Sequence, residues 1–170
     1  MGYVHDTAMT LFVPPTLNHF VSATALQTFV AGQTVDTIVA NNSYANETTE
    51  VNIPIVLPSN SKALKGALLK SIEIDYEVKT SEPTSITWVV NKVTRKVDGT
   101  PPTVAVIPHT ASLAAAAGKT VDEHRQVLTI TTPVWLLNTE YVLVSVSVAA
   151  GAGANTRHFL GTFVNYTIRI

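Results

Sequence analysis

The chain has no cysteine, so a disulfide framework, a thiolate metal site and a cysteine nucleophile are all closed to it. Charge is nearly as scarce. Only 14% of its 170 residues are Asp, Glu, Lys or Arg, against about 25% in an ordinary globular chain. The net charge of −1 leaves no strong field to draw in nucleic acid or anionic lipid. No cation precedes Lys62, and residues 1–61 carry only Asp6, Asp36, Glu47 and Glu50 as charges. A basic arm of the kind that gathers RNA is therefore missing. No apolar run approaches the roughly 18 residues that a membrane-spanning helix needs. The opening Met1-Gly2-Tyr3-Val4-His5-Asp6 has neither the basic segment nor the apolar run of a signal peptide, so synthesis in the cytoplasm is expected. Aromatic residues make up only 7% of the chain.

What is present is mostly apolar and uncharged polar. Hydrophobic residues reach 46%. Few charges leave little material for a fully solvated surface. Either Ser, Thr and Asn cover it, or partners do, and the expectation drawn here is the second.

The organising signal is alternation with a period of two, the mark of half-buried strands. Ile72-Glu73-Ile74-Asp75-Tyr76-Glu77-Val78 puts apolar residues on one face and acids on the other. Val142 to Val148 alternates Val or Leu with Ser, and Phe163 to Ile170 closes the chain in the same manner. Ile86 to Val90 and Val127 to Thr131 add two more strands. Weaker ones are expected at Thr10 to Val13, Leu26 to Val30, Val35 to Ala40 and Val51 to Leu57. Pro54 cannot donate to a ladder, so the last of these reads as an edge or a bulge. Turn residues punctuate the runs about every ten residues, among them Pro14-Pro15, Asp98-Gly99, Pro101-Pro102 and Gly151-Ala152-Gly153. That spacing predicts an all-β, single antiparallel β-sandwich, jelly-roll-like, with an extended N-terminal arm. Residues 1–50 are expected to be the arm and first strands, and residues 51–170 the sandwich domain. Ala114 to Ala117 is too short for a stable helix and reads as a turn.

Chemistry is hard to find. His5, His19, His109, His124 and His158 form no HExxH pattern, and no GxSxG elbow, phosphate loop or calcium loop occurs. Glu73, Asp75 and Glu77 share a strand face, where the expected opposing charges are Lys92, Arg95 and Lys96 on the next strand. Gly151-Ala152-Gly153 reads as a hairpin tip. Trp88 and Trp135 fall in strands that read as buried. Asn41, Asn46 and Asn165 sit in glycosylation sequons that reflect Asn/Thr-rich composition. No catalytic residue, cofactor or metal is expected, and no specific nucleic-acid or membrane partner.

Several stretches resemble β-sandwich virion structural proteins of phages and environmental viruses. They are Ile53-Pro54-Ile55-Val56-Leu57-Pro58, then Leu64 to Ala67 leading into Ile72 to Tyr76, then Trp88. Val121-Asp122-Glu123-His124 before Leu128, and Gly161 to Tyr166 complete the set. The resemblance covers roughly two-thirds of the chain and leaves residues 1–50 outside it. It implies a jelly-roll-like capsid or decoration component, often trimeric, found in the virion after synthesis in the host cytoplasm. The expected function is a self-assembling viral structural protein, its partner being further copies of itself. The alternatives are a receptor- or carbohydrate-binding sandwich of a fibre head and a non-viral shell or filament subunit. The candidate subunit-interface arm comprises Leu11, Phe12, Val13, Pro14, Pro15, Leu17 and Phe20. Pro14-Pro15 would supply a stiff elbow suited to leaving the domain.

Overall fold

Every long alternating run of the sequence becomes a strand. The structure is a computed structural model that describes residues 5–20, 27–29, 39–43, 45–58 and 66–169. The first third contributes β1 (Asp6–Val13), β2 (His19–Phe20), β3 (Gln27–Phe29), β4 (Val39–Ser43) and β5 (Thr48–Ile55). There follow β6 (Ala67–Val78), β7 (Ser85–Thr94), β8 (Thr103–Val106), β9 (His109–Ala111), β10 (Glu123–Leu136), β11 (Glu140–Ala149) and β12 (Asn155–Arg169). Two single-turn 3-10 helices, Pro15–Leu17 and Ala117–Lys119, are all the helix among the described residues.

The strands form two antiparallel sheets. One has seven strands in the order β3-β4-β12-β6-β10-β9, with β1 also paired to β12. The fifteen-residue β12 is long enough to take β4 along Asn155 to Phe159 and β1 along Thr162 to Arg169. The other sheet has five strands in the order β2-β5-β11-β7-β8. The chain switches sheets between β1 and β2, β2 and β3, β4 and β5, β5 and β6, β6 and β7, β8 and β9, β10 and β11, and β11 and β12. This wrapping is what makes the protein a β-sandwich.

Alternation places the core. Val142, Val144, Val146 and Val148 of β11 point inward to meet Ile72, Ile74, Tyr76 and Val78 of β6. Val164, Tyr166 and Ile168 of β12 join them, leaving Phe163, Asn165 and Thr167 on the outer face as strand parity requires. Burying each such side chain contributes about 1.5–3 kcal/mol. Pro54 pairs with Leu143 of β11, while β2 reaches only Val51 and Asn52 on the other side of β5. The proline thus lies where β5 is locally an edge. Pro133 falls in the register break of β10 between Thr129 and Val134.

Four expectations are corrected. Glu73, Asp75 and Glu77 do not face Lys92, Arg95 or Lys96, because β7 crosses to the other sheet; their neighbours are β10 and β12. Lys92 pairs instead with Glu140 at 2.9 Å. Gly151-Ala152-Gly153 is no hairpin tip, since β11 and β12 lie in different sheets and the segment is a crossover. Trp88 and Trp135 are half-buried rather than buried.

The fourth concerns the elbow at Pro14-Pro15. It turns the chain from β1 in one sheet to β2 in the other within the same sandwich. Val13 and Pro15 are buried, Leu11 and Pro14 are half-buried, and Phe12 and Leu17 are exposed. β1 pairs along its whole length with β12 of its own sandwich, yet Asp6 to Thr10 and Phe12 stay exposed. Phe20 lies in β2 against Val51 of β5. Residues 1–4, 21–26, 30–38, 44, 59–65 and 170, and with them most of the strand expected at Val35 to Ala40 and the last residue of the one expected at Phe163 to Ile170, lie outside the described residues.

Candidate functional site

The outer face of the seven-stranded sheet gathers the most diverse side chains. Three cross-strand rows build it. Phe12, Phe163, Glu73 and Val127 stand opposite one another across β1, β12, β6 and β10. Thr10, Asn165, Ser71 and Thr129 form the row on one side. Gly161, Asp75 and Arg125 form the row on the other. The pleat puts all of these on one side of the sheet, because directly paired residues point the same way and the rows lie two residues apart along each strand.

Phe12 and Phe163 are the aromatic centre, with ring centroids 5.1 Å apart at 45°. Phe12 remains 46% exposed. Its ring lies over Gly161, where a Cβ would come within 2.5 Å of the ring. Gly161 has φ of +154° beside a register irregularity between Phe159 and Gly161. The glycine therefore makes the flat seat on which the exposed ring is held, a glycine–aromatic pairing known from sheet edges.

Arg125 anchors the polar side. Its Nε and Nη2 donate to Asp75 Oδ1 and Oδ2 at 2.7 and 2.8 Å, a bidentate fork. Glu73 Oε2 lies 3.7 Å from Nη1, and the guanidinium carbon sits 5.8 Å from the Phe163 ring centroid. Hydrogen bonding to Asp75, then its charge, hold the guanidinium pKa above its ordinary value. Asn165 Nδ2 donates to Glu73 Oε1 at 2.8 Å and to Ser71 Oγ at 3.1 Å, while Thr10 Oγ1 donates to Asn165 Oδ1 at 2.9 Å. The network fixes the polar groups in place while Arg125 keeps an exposed flank. Next to it a depression of about 280 Å³ is lined by Asp75, Glu123, His124, Arg125 and Leu160. An aromatic shelf beside fixed carboxylate, amide and guanidinium groups can bind a flat, hydroxyl-rich ligand.

The histidines are dispersed. His124 Nε2 bonds to Thr120 O at 2.8 Å, and its ring stacks near Tyr76. His158 Nδ1 is 3.3 Å from Glu77. His109 Nδ1 meets its neighbour Ile107 O, and His19 is exposed. Among the described residues no three His, Asp or Glu side chains are grouped to hold a metal ion. The sequence reading missed Arg125 as the partner of the acidic strand and missed Phe163 as the mate of Phe12. Parity gave the face of each residue, but only sheet order brings them together.

No family model matches the chain, and no curated protein matches it. Solved structures do resemble its layers. One is from a study of promiscuous specificity in β-sandwich carbohydrate-binding modules, with TM-score 0.46 and 12% identity, covering 95% of this chain and 56% of that one. Another is a Clostridium thermocellum xylanase with its binding module, complexed with xylohexaose, with TM-score 0.42 and 12% identity over 92% and 27% of the two chains. A bacteriophage tailspike domain gives TM-score 0.35 and 7% identity over 93% and 19%. The chain thus spans little more than half the length of the first of these. The sandwich expected from the virion resemblance is present, and nothing in these likenesses singles out a capsid or decoration protein. With scores below 0.5, the functional reading rests on the side chains alone.

Proposed function

We propose that this protein is a non-catalytic recognition sandwich that binds carbohydrate on the outer face of its seven-stranded sheet. The observation that carries this reading is the exposed Phe12 ring, seated on Gly161 and Phe163, beside the fixed network of Asn165, Glu73, Asp75 and Arg125. A sugar ring presents apolar C–H faces and equatorial hydroxyls, and this face offers an aromatic shelf and both acceptors and donors at its edge. The test is isothermal titration against soluble xylans, glucans and galactans. Phe12→Ala should weaken binding at least about tenfold while the melting temperature stays close to that of the parent. If no polysaccharide binds, or if Phe12→Ala binds as well as the parent, the reading fails.

A second reading, association with further copies of the chain, is favoured by the other sheet. Val56, Val104 and Val106 are 69%, 62% and 67% exposed. Val104 and Val106 stand in register with Val93 and Asn91, which in turn face Tyr141 and Leu143. One end of this outer face is therefore apolar, whereas its other end carries Asn52, Ser145, Ser147 and Thr87. Light scattering of the Val104→Lys, Val106→Lys double variant tests this reading. A drop in mass relative to the parent supports it, and a parent that is already monomeric rejects it.

A further inference from the structure

We propose a second binding pocket, between the sheets at the end covered by Ala111 to Gly118, for a small neutral ring compound carrying one N–H or O–H donor. The cavity measures about 150 Å³, the size that accepts a benzene-sized guest in a well-packed core. Interiors normally close voids of this volume. This one is kept open by rigid walls. Tyr76 from one sheet and Trp88 from the other meet with ring centroids 5.4 Å apart. Ile86 and Leu113 add aliphatic walls, and the exposed Ala114 and Ala115 line the mouth with the smallest side chains that still form a wall.

The loop that shapes the mouth is pinned at several points. The Tyr76 hydroxyl donates to Gly118 O, Lys119 Nζ donates to Thr84 O at 3.1 Å, and the Ser112 N–H donates to Val127 O at 2.9 Å. Burial pushes the Tyr76 pKa up, so the phenol stays protonated and its proton is committed to that carbonyl.

Gln126 supplies the polar contact. It is 1% exposed and lines the cavity. Its Nε2 donates to Val127 O at 3.1 Å and to Ser112 Oγ at 3.4 Å. No donor among the described residues reaches its Oε1. This oxygen is not sealed off from solvent, so a ligand donor entering the cavity can take the place of water on it. No charged side chain lines the cavity, which selects a neutral guest.

The experiment uses the full chain with Trp135→Phe, which leaves Trp88 as the reporting tryptophan. Phenol and benzene are titrated while Trp88 emission is followed. Phenol should produce a saturable change and bind at least about fivefold tighter than benzene, the worth of one hydrogen bond to Gln126. Ala115→Phe, a change at an exposed position that fills the mouth, should abolish the change in a protein of unaltered circular dichroism. A folded protein that shows no saturable response, equal affinity for the two probes, or unchanged binding after Ala115→Phe overturns the proposal. The pocket lies inside the sandwich and the proposed carbohydrate face outside it, so neither result depends on the other.

Discussion

At the residue scale, two glycines and one carboxylate do work that no other residue type can. Gly66 has φ of +106°, and a Cβ there would sit 2.7 Å from the backbone oxygen of Leu136. Gly161 would press its Cβ against the ring of Phe12, which is half exposed and able to swing away. Gly66→Ala is therefore expected to be the costlier change, at about 2–4 kcal/mol, since both backbone strain and a clash with immovable backbone oppose it. Gly161→Ala should cost less in stability yet displace the Phe12 shelf. Chemical denaturation of both variants checks the order. Glu140 is the third case. Burial alone would raise its pKa, but bonds from the Leu137 N–H, Lys92 and Thr94 more than offset this and hold it below the ordinary carboxylate value. Because the folded pKa is depressed, its stabilising contribution is present above the unfolded pKa of about 4.3 and is lost as pH falls through the folded value. Glu140→Gln should cost about 1–3 kcal/mol at pH 7, with the gap to the parent narrowing below about pH 4 in thermal melts.

At the scale of elements, β6 and β12 hold the larger sheet together. β12 carries β1 and β4 on one edge and β6 on the other, and β6 carries β10. Removing residues 163–170 would strip β1 of its partner and expose Ile72 and Leu69 of β6. The truncated chain is expected to be insoluble, and a soluble product with a cooperative melt would show that the core lies elsewhere. Within β11, Val144 is fully buried at the centre of its sheet. Val144→Ala should cost about 1.5–3 kcal/mol by lost burial and the cavity left behind. Ser145→Ala on the opposite face should cost less, although it removes the 2.6 Å bond to Asn52. The short edge strand β8 is flanked by Pro101-Pro102 and Pro108, which cannot extend a ladder and so limit strand addition there.

At the scale of the whole molecule, the two outer faces differ in kind. One carries charge, amide and aromatic groups in a fixed network; the other is apolar at one end and uncharged polar at the rest. This asymmetry suits a module that recognises on one side and associates on the other. The basic residues Arg95 and Lys96 lie by a shallow hollow with Thr100, Pro102 and Tyr141, at the apolar end of the five-stranded sheet. With two or three cations to release counterions, DNA or RNA affinity should be weaker than micromolar at about 150 mM salt, as measured by fluorescence anisotropy.

The sequence by itself determined the long strands and the all-β class, because alternation is a local property that each such strand displays alone; the short β2, β8 and β9 show no such signal. Parity puts Tyr166 and Ile168 on one side of the sheet and Phe163, Asn165 and Thr167 on the other, and one missing donor marks Pro54 as an edge or a bulge; which side faces inward came from the fold. Sheet order was not readable in this way. Whether β7 lies beside β6 or across from it depends on how the twelve strands among the described residues share two layers, and that is settled by global packing. For this reason sequence order points to Lys92, Arg95 and Lys96 as partners of the acidic strand, whereas the fold puts Arg125 there. The same holds for Phe12 on Gly161 and for Gln126 in its cavity: residues more than a hundred positions apart, or in opposite sheets, become neighbours only when the sandwich closes.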